Sequence, residues 1–138
     1  MDLLASKLAD SPWLYPPSPR GFAIETRLGG NLPPSFPTID KWDFVTGTAT
    51  SIKSVDLTAS SYQSTSRLTS LMQKYIDKAA EFDGANWGGV KIDPVEIVTR
   101  QLVVSIPRGA TAVQETVLLE MVEYARSRGV ELIVGVTR

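Results

Sequence analysis

The sequence of 138 residues contains no histidine and no cysteine. These two absences exclude disulfide scaffolds, cysteine zinc sites, thiol nucleophiles, Ser-His-Asp triads and histidine general bases. They also exclude any metal site that depends on imidazole. A catalyst made from this chain would therefore have to use carboxylates, lysine, tyrosine, hydroxyl groups and a metal ion held by oxygen.

An excess of charge of one sign and long apolar runs are also missing. The 14 lysines and arginines nearly balance the 15 aspartates and glutamates, which leaves a net charge of −1. Nucleic-acid-binding domains are typically basic because binding neutralises phosphates, so this balance favours such a partner only if a local basic patch exists. No run approaches the roughly 20 apolar residues of a membrane-spanning helix, and no signal peptide is visible.

Apolar residues make up 43% of the chain, which is enough for the core of one domain of this length. Residues 1–10 can form a short amphipathic helix, and four prolines follow between positions 12 and 19. Prolines at this density prevent continuous helix or strand pairing. The sequence therefore predicts a leader or linker remnant over residues 1–17 and a folded domain over residues 18–138.

Apolar periodicity and turn signals predict seven elements in the order α–β–β–α–β–α–β. They are a helix from the Ser18-Pro19 start signal to Leu28, strands over 36–40 and 48–57, a helix over 63–82, a strand over 96–106, a helix over 111–128 and a strand over 130–136. The glycine-rich stretch DGANWGG is predicted to be a loop. This order predicts an α/β fold with a small mixed central sheet flanked by helices.

Four polar residues occur where packing alone would not place them. Glu25 shares one face of the first helix with Phe22 and Leu28, Asp40 ends a predicted strand, and Ser51 and Lys53 share one face of the next strand. Two carboxylates on adjacent elements can bind a hard divalent cation. A nearby lysine can orient the attacking water and offset the charge that develops on phosphate. The alternatives are that Glu25 pairs with an arginine and that Lys53 extends to solvent at a sheet edge.

The helix glutamate followed by D-x(10)-S-x-K resembles the PD-(D/E)xK nuclease superfamily. In the common form of that motif an acidic residue stands two positions before the lysine, where this chain has Ser51. The stretches RGFAIETRLGGNLPPSFPTIDKW and ATSIKSVDLTASSYQ more specifically resemble the C-terminal nuclease domain of CdiA-type contact-dependent growth inhibition toxins, over roughly residues 19–83. In that branch a serine occupies the same place.

The resemblance implies a restriction-endonuclease-like core and a metal-dependent DNase. Glu25 and Asp40 would bind the metal, Ser51 would complete or support the site, and Lys53 would be the catalytic lysine. Zinc is the ion associated with this branch, although a site without histidine or cysteine keeps Mg²⁺ and Mn²⁺ plausible. The resemblance also implies a cognate immunity protein and a toxin delivered from one cell surface into the cytoplasm of a target bacterium.

Three further residues follow the lysine strand closely enough to contact a nucleic acid, namely Asp56, Tyr62 and Gln63. The alternative interpretation is a capped helix start with a half-buried tyrosine. Two other functions stay open at this point. One is cleavage of structured RNA such as tRNA by the same fold, and the other is a non-catalytic binding module in which the carboxylates and the lysine form a structural ion network.

Overall fold

The computed structural model describes residues 11–137, so the predicted amphipathic helix within residues 1–10 lies outside the described part of the chain. These residues include three α-helices: α1 (Pro17–Arg27), α2 (Thr65–Glu81) and α3 (Ala112–Ser127). Single 3₁₀ turns cover Pro12–Leu14, Ser60–Gln63 and Pro94–Glu96. None of these described helices is long and apolar enough to cross a membrane.

In the described part of the chain, six strands form two sheets. They are β1 (Lys41–Asp43), β2 (Thr48–Ser54), β3 (Ala85–Trp87), β4 (Val90–Ile92), β5 (Thr99–Ile106) and β6 (Val130–Val136). The main sheet has the order β1-β2-β5-β6, with β1 antiparallel to β2 and the other neighbours parallel, while β3 and β4 pair as a hairpin. The predicted mixed sheet is confirmed, and its C-terminal part is a parallel β5–α3–β6 unit.

The main core lies between the sheet and helices α2 and α3. Leu68, Met72 and Ile76 of α2 are completely buried, at the spacing that places residues on one face of a helix. Burial of side chains of this size contributes about 1.5–3 kcal/mol each. This core holds β2 from one side, while α1 packs against the same strand through other contacts and buries Ile24.

Polar side chains fix where the helices begin. The hydroxyl of Thr111 accepts a hydrogen bond from the backbone N–H of Gln114 at 3.1 Å, and the Gln114 side chain accepts one from the Thr111 N–H at 3.0 Å. The buried amide of Gln114 also donates to the carbonyl oxygens of Leu57 and Tyr62, both at 2.9 Å. The start of α3 is therefore tied to the chain that leaves β2.

The predicted strand over residues 36–40 is wrong, because the strand lies at Lys41–Asp43, inside the segment predicted to be a turn. Pro37 cannot donate a backbone hydrogen bond, and Thr38 has a φ of 67°, so the preceding residues cannot continue a strand. Phe36 and Ile39 are still buried, at 8% and 2% exposure. The apolar pattern therefore reports a loop that packs inward rather than a strand.

Other predicted bounds also need correction. The second strand ends at Ser54 rather than at residue 57, the fifth begins at Thr99 rather than at 96, and α1 begins at Pro17 instead of at the Ser18-Pro19 signal. The stretch predicted to be a loop contains β3, because Gly88 and Gly89 form a two-residue hairpin turn between β3 and β4. Phe22, which shares a helix face with Glu25, is 72% exposed.

The N-terminal arm lies against the other end of the described chain. The indole N–H of Trp13 donates to the carbonyl oxygen of Thr137 at 2.6 Å, and the Arg20 guanidinium lies 5.5 Å from the centre of the Trp13 ring. Residues 12–14 thus pack on the folded part, and the division into a leader over 1–17 and a domain over 18–138 stays a prediction.

Candidate active site

Glu25 and Asp40 lie in contact although they come from different elements. Glu25 is on α1 and Asp40 immediately precedes β1. A hydrogen bond with Asp40, then burial, then the charge of Asp40 raise the pKa of Glu25 from 4.5 to about 7, while the positive charge of Lys53 acts in the opposite direction. Two carboxyl groups this close resist ionising together. In the absence of a cation, Glu25 therefore keeps its proton to a higher pH than an ordinary glutamate does.

Asp40 is held by the neighbouring strand through both its side chain and its backbone. Its Oδ2 accepts a hydrogen bond from the backbone N–H of Ile52 at 2.7 Å, and its own N–H donates to the carbonyl oxygen of Thr50 at 2.9 Å. Since β2 lies inside the sheet between β1 and β5, these bonds place the carboxylate on a rigid element. The position of Asp40 is therefore fixed without any contribution from a ligand.

Hydrogen bonds also join the loop between α1 and β1 to Asp40 and to the start of β1. The Asn31 side chain donates to the carbonyl oxygen of Trp42 at 3.0 Å and accepts from the Trp42 N–H at 2.9 Å, while the Asn31 N–H donates to the Asp40 carbonyl oxygen at 3.0 Å. A Cβ atom at Gly30 would lie 3.1 Å from the carbonyl oxygen of Glu25 and 3.4 Å from that of Asp40. This close approach brings the two acidic residues together.

A cleft with a volume of about 310 Å³ opens beside the two carboxyl groups. Ser35 lines it with a φ of 63°, in the left-handed region that costs energy for residues other than glycine and that is enriched at functional sites. The indole N–H of Trp87 donates to the Pro34 carbonyl oxygen at 3.1 Å, so the β3–β4 hairpin supports the wall. Residues contributing to the lining include Phe22, Glu25, Pro33, Pro34, Ser35 and Asp40.

Ser51 and Lys53 come from β2, in register with Leu102 and Val104 of β5. Ser51 is 3% exposed, and Lys53 is half-buried with its Nζ 5.5 Å from the centre of the Tyr75 ring. β2 lies between β1 and β5, but β1 pairs only with Thr48–Thr50, so at Lys53 the strand is paired with β5 alone. The charge of Lys53 acts on the pKa of Glu25, which places the lysine within electrostatic reach of the acidic pair.

The three residues predicted to line a nucleic-acid groove form the turn after β2. Asp56 accepts hydrogen bonds from the N–H and the hydroxyl of Thr58, and Gln63 donates to the carbonyl oxygens of Leu57 and Ala59. Tyr62 is half-buried and packs against the main core. These contacts match the structural alternative, and a role in binding nucleic acid stays a prediction for Asp56, Tyr62 and Gln63.

The donor set at the site suits an ion that prefers oxygen. Among residues 11–137, no three acidic side chains are close enough together to hold a metal ion, and the chain has no histidine or cysteine that could serve as a further ligand. Glu25 and Asp40 would therefore hold a divalent cation as a pair, with water and backbone carbonyl oxygens as the remaining ligands that such ions accept. The two carboxyl groups are in contact and would repel each other when both are ionised, so the site favours added positive charge and the residues fit the ion.

Two residues at the site gave little signal in the sequence. Tyr75 falls in the apolar stripe of α2, which periodicity assigns to packing, yet its ring faces Lys53. Asn31 lies in a proline- and glycine-rich stretch where an asparagine usually serves a local turn. Its pairing with Trp42 spans 11 residues, which no local pattern indicates.

The fold and the site together define a restriction endonuclease-like α/β domain, in which a helix carboxylate, a carboxylate at a strand start and a lysine on an interior strand come together. A family model for the CDI toxin restriction endonuclease-like domain matches residues 20–135. The chain belongs to this family, which confirms both the resemblance seen in the sequence and the predicted fold class.

Comparisons with individual proteins agree with this family. The chain is 32% identical over 108 residues to "Deoxyribonuclease CdiA" of Yersinia pseudotuberculosis serotype O:3 (strain YPIII), covering 78% of this chain and 10% of that protein. It is 32% identical over 104 residues to "Deoxyribonuclease CdiA-o11" of Escherichia coli O157:H7 (strain EC869), covering 75% of this chain and 28% of that protein. The chain thus spans about a tenth and about a quarter of the length of these two relatives.

A solved structure shares the fold. It is the "CdiA-CT/CdiI toxin and immunity complex from Yersinia pseudotuberculosis", with a TM-score of 0.72 and 26% sequence identity. The match covers 83% of this chain and 98% of the matched chain. The shared architecture therefore extends over nearly the whole of that chain.

Proposed function

We propose that the chain is a metal-dependent endonuclease that hydrolyses DNA phosphodiester bonds. The observation that carries the proposal is the contact between the Glu25 and Asp40 carboxyl groups, at a cleft of about 310 Å³ and within reach of the Lys53 charge. This set contains both parts that phosphodiester hydrolysis needs, an oxygen site for a cation and a positive side chain for the phosphate. The two relatives named as deoxyribonucleases support DNA as the substrate.

Each residue has a distinct part in the proposed mechanism. A bound divalent cation would act as a Lewis acid on the phosphate and would lower the pKa of the attacking water. Asp40, fixed by the Ile52 N–H, and Glu25, which must first lose its proton, would hold that ion. Lys53 would orient the water and offset the charge that develops on the phosphate. Ser51, buried on the same strand, would support the site with its hydroxyl.

The identity of the metal is a separate proposal. The family resemblance implies zinc, whereas a pair of carboxylates without histidine or cysteine is a donor set that suits Mg²⁺ or Mn²⁺. Calorimetric titration of the EDTA-treated chain with each ion would rank their affinities. Zinc binding tighter than Mn²⁺, and lost in Asp40→Asn, would support the zinc assignment.

We also propose that the chain is the toxic domain of a contact-dependent growth inhibition protein, delivered into the cytoplasm of a target bacterium and neutralised by a cognate immunity protein. Support comes from the family and from the toxin–immunity complex whose toxin shares this fold. Inducing the chain in cells with and without candidate immunity proteins from the same genome tests this. Growth arrest that none of these proteins relieves would contradict the immunity part.

The decisive experiment for catalysis uses the 138-residue chain made by cell-free synthesis, because the proposed activity would kill an expression host. Supercoiled plasmid should be nicked, EDTA should stop nicking, and Zn²⁺, Mg²⁺ or Mn²⁺ should restore it. Asp40→Asn and Lys53→Ala should abolish cleavage. The matched controls Asp83→Asn and Lys91→Ala replace exposed residues of the same charge and should retain it.

Two other outcomes have clear meanings. Cleavage of tRNA with intact plasmid would replace DNA by RNA as the substrate of the same site. A folded chain that cuts neither polymer with any of the three ions, and leaves cells healthy when expressed, would identify a binding module and overturn the proposal. Undiminished cleavage by Lys53→Ala would overturn the residue assignment while leaving the activity in place.

A further inference from the structure

The side chain of Lys53 does not extend freely into solvent but lies over an aromatic ring. Its Nζ is 5.5 Å from the centre of the Tyr75 ring, within the distance of about 6 Å at which a cation is attracted to a ring face. Lys53 is half-buried on an interior strand and Tyr75 is half-buried on α2. The contact therefore joins the sheet to the helix layer beside the candidate active site.

The ring is held in place by the helix that carries it. Met72 and Ile76, three residues before and one residue after Tyr75, are completely buried in the main core, and Tyr75 itself packs against that core. A lysine side chain, by contrast, has a flexible four-carbon stem, and its ammonium group is a compact point charge that does not require one bonding direction. The fixed ring face is thus the element that can select one position of the ammonium group among many.

The tyrosine acts through its neutral ring rather than through a charged oxygen. Burial, and secondly the neighbouring Tyr62, raise the pKa of the Tyr75 hydroxyl above its ordinary value of 10.0. No phenolate is therefore available near neutral pH to form an ion pair with the lysine. Attraction by the ring face is the interaction that remains.

From this geometry we infer that Tyr75 is a positioning residue for the reaction, whose ring face holds the Lys53 ammonium group in its working position. The inference rests on the proposed function, since it assigns Lys53 a role in cleavage. Tyr75 itself touches neither substrate nor metal in this scheme. Loss of the ring should therefore lower kcat while leaving KM for DNA and the half-saturating metal concentration unchanged.

Three variants of the full chain test the inference. Tyr75→Leu keeps an apolar, helix-favouring side chain but removes the ring, and should lower kcat by about three- to thirtyfold, the range that cation–π energies correspond to. Tyr75→Phe keeps the ring face and should stay within about twofold of the parent. Tyr124→Leu is the control, because Tyr124 of α3 donates a hydrogen bond to Asp77 and does not contact Lys53. This variant should keep the parental kcat, which would show that loss of any helix tyrosine does not by itself lower kcat.

An NMR measurement gives a readout independent of activity. In the chain carrying isotope-labelled lysine, the ε-methylene protons of Lys53 should be shifted upfield by the aromatic ring. This shift should persist in Tyr75→Phe and disappear in Tyr75→Leu, with the Lys53→Ala spectrum assigning the signal. A signal in the parent at the position of the exposed lysines would overturn the inference even if the chain cuts no DNA.

The kinetic outcomes separate this inference from the proposed function. A folded Tyr75→Leu with parental kcat, beside an inactive Lys53→Ala, would overturn the role of Tyr75 alone. An equal loss in Tyr75→Phe and Tyr75→Leu would also overturn it, because the hydroxyl rather than the ring would be responsible. Full activity in Lys53→Ala would instead refute the role of Lys53 in the proposed function.

Discussion

Glu25 binds its proton more tightly in the folded chain than an isolated glutamate does. The contact with Asp40 is the main reason, because the protonated form of one carboxyl group can bond to the other while two negative charges would repel. This pair is therefore poised between two occupants, a proton or a divalent cation. Either one removes the repulsion, and the choice between them depends on pH.

The stability of the metal-free chain should consequently depend on pH. The pKa of Glu25 is about 7 when folded and near 4.5 when unfolded, so the folded state retains its proton over a range in which the unfolded state has lost it. The stabilisation is complete below the unfolded value and is lost as the pH rises through the folded value. Urea unfolding in EDTA should therefore give a free energy of unfolding that falls from pH 5 to pH 8.

Glu25→Gln should remove this dependence, because the amide resembles the protonated carboxyl group and cannot ionise. The variant should be more stable than the parent at pH 8 in EDTA and should lose this advantage at pH 5. Glu131→Gln, which replaces an exposed glutamate of β6, serves as the matched control. Identical pH profiles for the parent and Glu25→Gln would refute the raised pKa of Glu25.

The residues of the site differ in how visible they are in the sequence. Glu25, Asp40, Ser51 and Lys53 stand out because charged or polar groups occur in apolar surroundings at spacings that resemble a known motif. The structure brings Glu25 and Asp40 into contact and puts Lys53 within electrostatic reach. Tyr75 could not be recognised, because an aromatic residue in a helical stripe looks the same whether it packs in the core or faces a lysine.

Among the elements, the loop from α1 to β1 does the most to assemble the site. It contains Gly30, which allows the close approach of two backbones, and Asn31, whose side chain pairs with the backbone of Trp42 as a strand would. The apolar pattern predicts a strand over residues 36–40, just before the residues that make this pairing. The buried residues Phe36 and Ile39 caused that error, since burial in a loop and burial in a strand leave similar apolar patterns.

Asn31→Ala should loosen this loop. Loss of the two side-chain hydrogen bonds to Trp42 should lower the free energy of unfolding by about 1–2 kcal/mol, a range consistent with partly exposed bonds. Metal affinity should fall as well, because Asn31 also bonds the Asp40 carbonyl oxygen through its backbone. Chemical denaturation and calorimetric titration measure the two effects. Asn86→Ala, at an exposed asparagine of β3, should change neither by a comparable amount.

Two glycines offer a matched comparison at the ends of strands. Gly47 has a φ of 70°, and an added Cβ would lie 2.6 Å from the Glu96 carbonyl oxygen and 2.7 Å from Val98 Cγ2. Gly89 has a φ of 84°, but an added Cβ would meet nothing within 4 Å. Both alanine variants pay a backbone cost of about 1–2 kcal/mol, and overpacking should add roughly 1–3 kcal/mol to Gly47→Ala alone.

Thermal and urea unfolding of Gly47→Ala and Gly89→Ala would measure this difference. Gly47 joins the connection between β1 and β2 to the segment before β5, because its carbonyl oxygen accepts hydrogen bonds from the N–H groups of Val98 and Thr99. Equal destabilisation of the two variants would mean that backbone conformation, and not close packing against the segment before β5, accounts for Gly47.

At the scale of the whole molecule, the pattern of apolar residues predicts the small mixed sheet flanked by helices, whereas the strand order β1-β2-β5-β6 is known only from the structure. The pattern does not predict the β3–β4 hairpin, because three-residue strands leave too short a pattern to distinguish from a loop. The net charge of −1 is also a property of the whole chain. It implies that any attraction for DNA comes from a few cations near Lys53 and not from the surface in general.

Binding of a short DNA duplex in EDTA should therefore depend weakly on salt. With about three or fewer phosphates neutralised, the logarithm of the association constant should fall with the logarithm of salt concentration at a slope no steeper than about −3. Lys53→Ala should make the slope shallower by about 1 if the lysine contacts a phosphate. A slope of about −6 or steeper would reveal a broad basic surface that the net charge conceals.

The bond from the Trp13 indole to the Thr137 carbonyl oxygen places the two ends of the described chain side by side at the end of β6. A mechanical force that pulls these ends apart would load this contact first and then the last residues of β6. Since β6 is an edge strand held by β5 alone, its hydrogen bonds would break one after another instead of together. The same force would reach α1 from the other end, and because α1 carries Glu25, the acidic pair would be loaded before the interior strands separate.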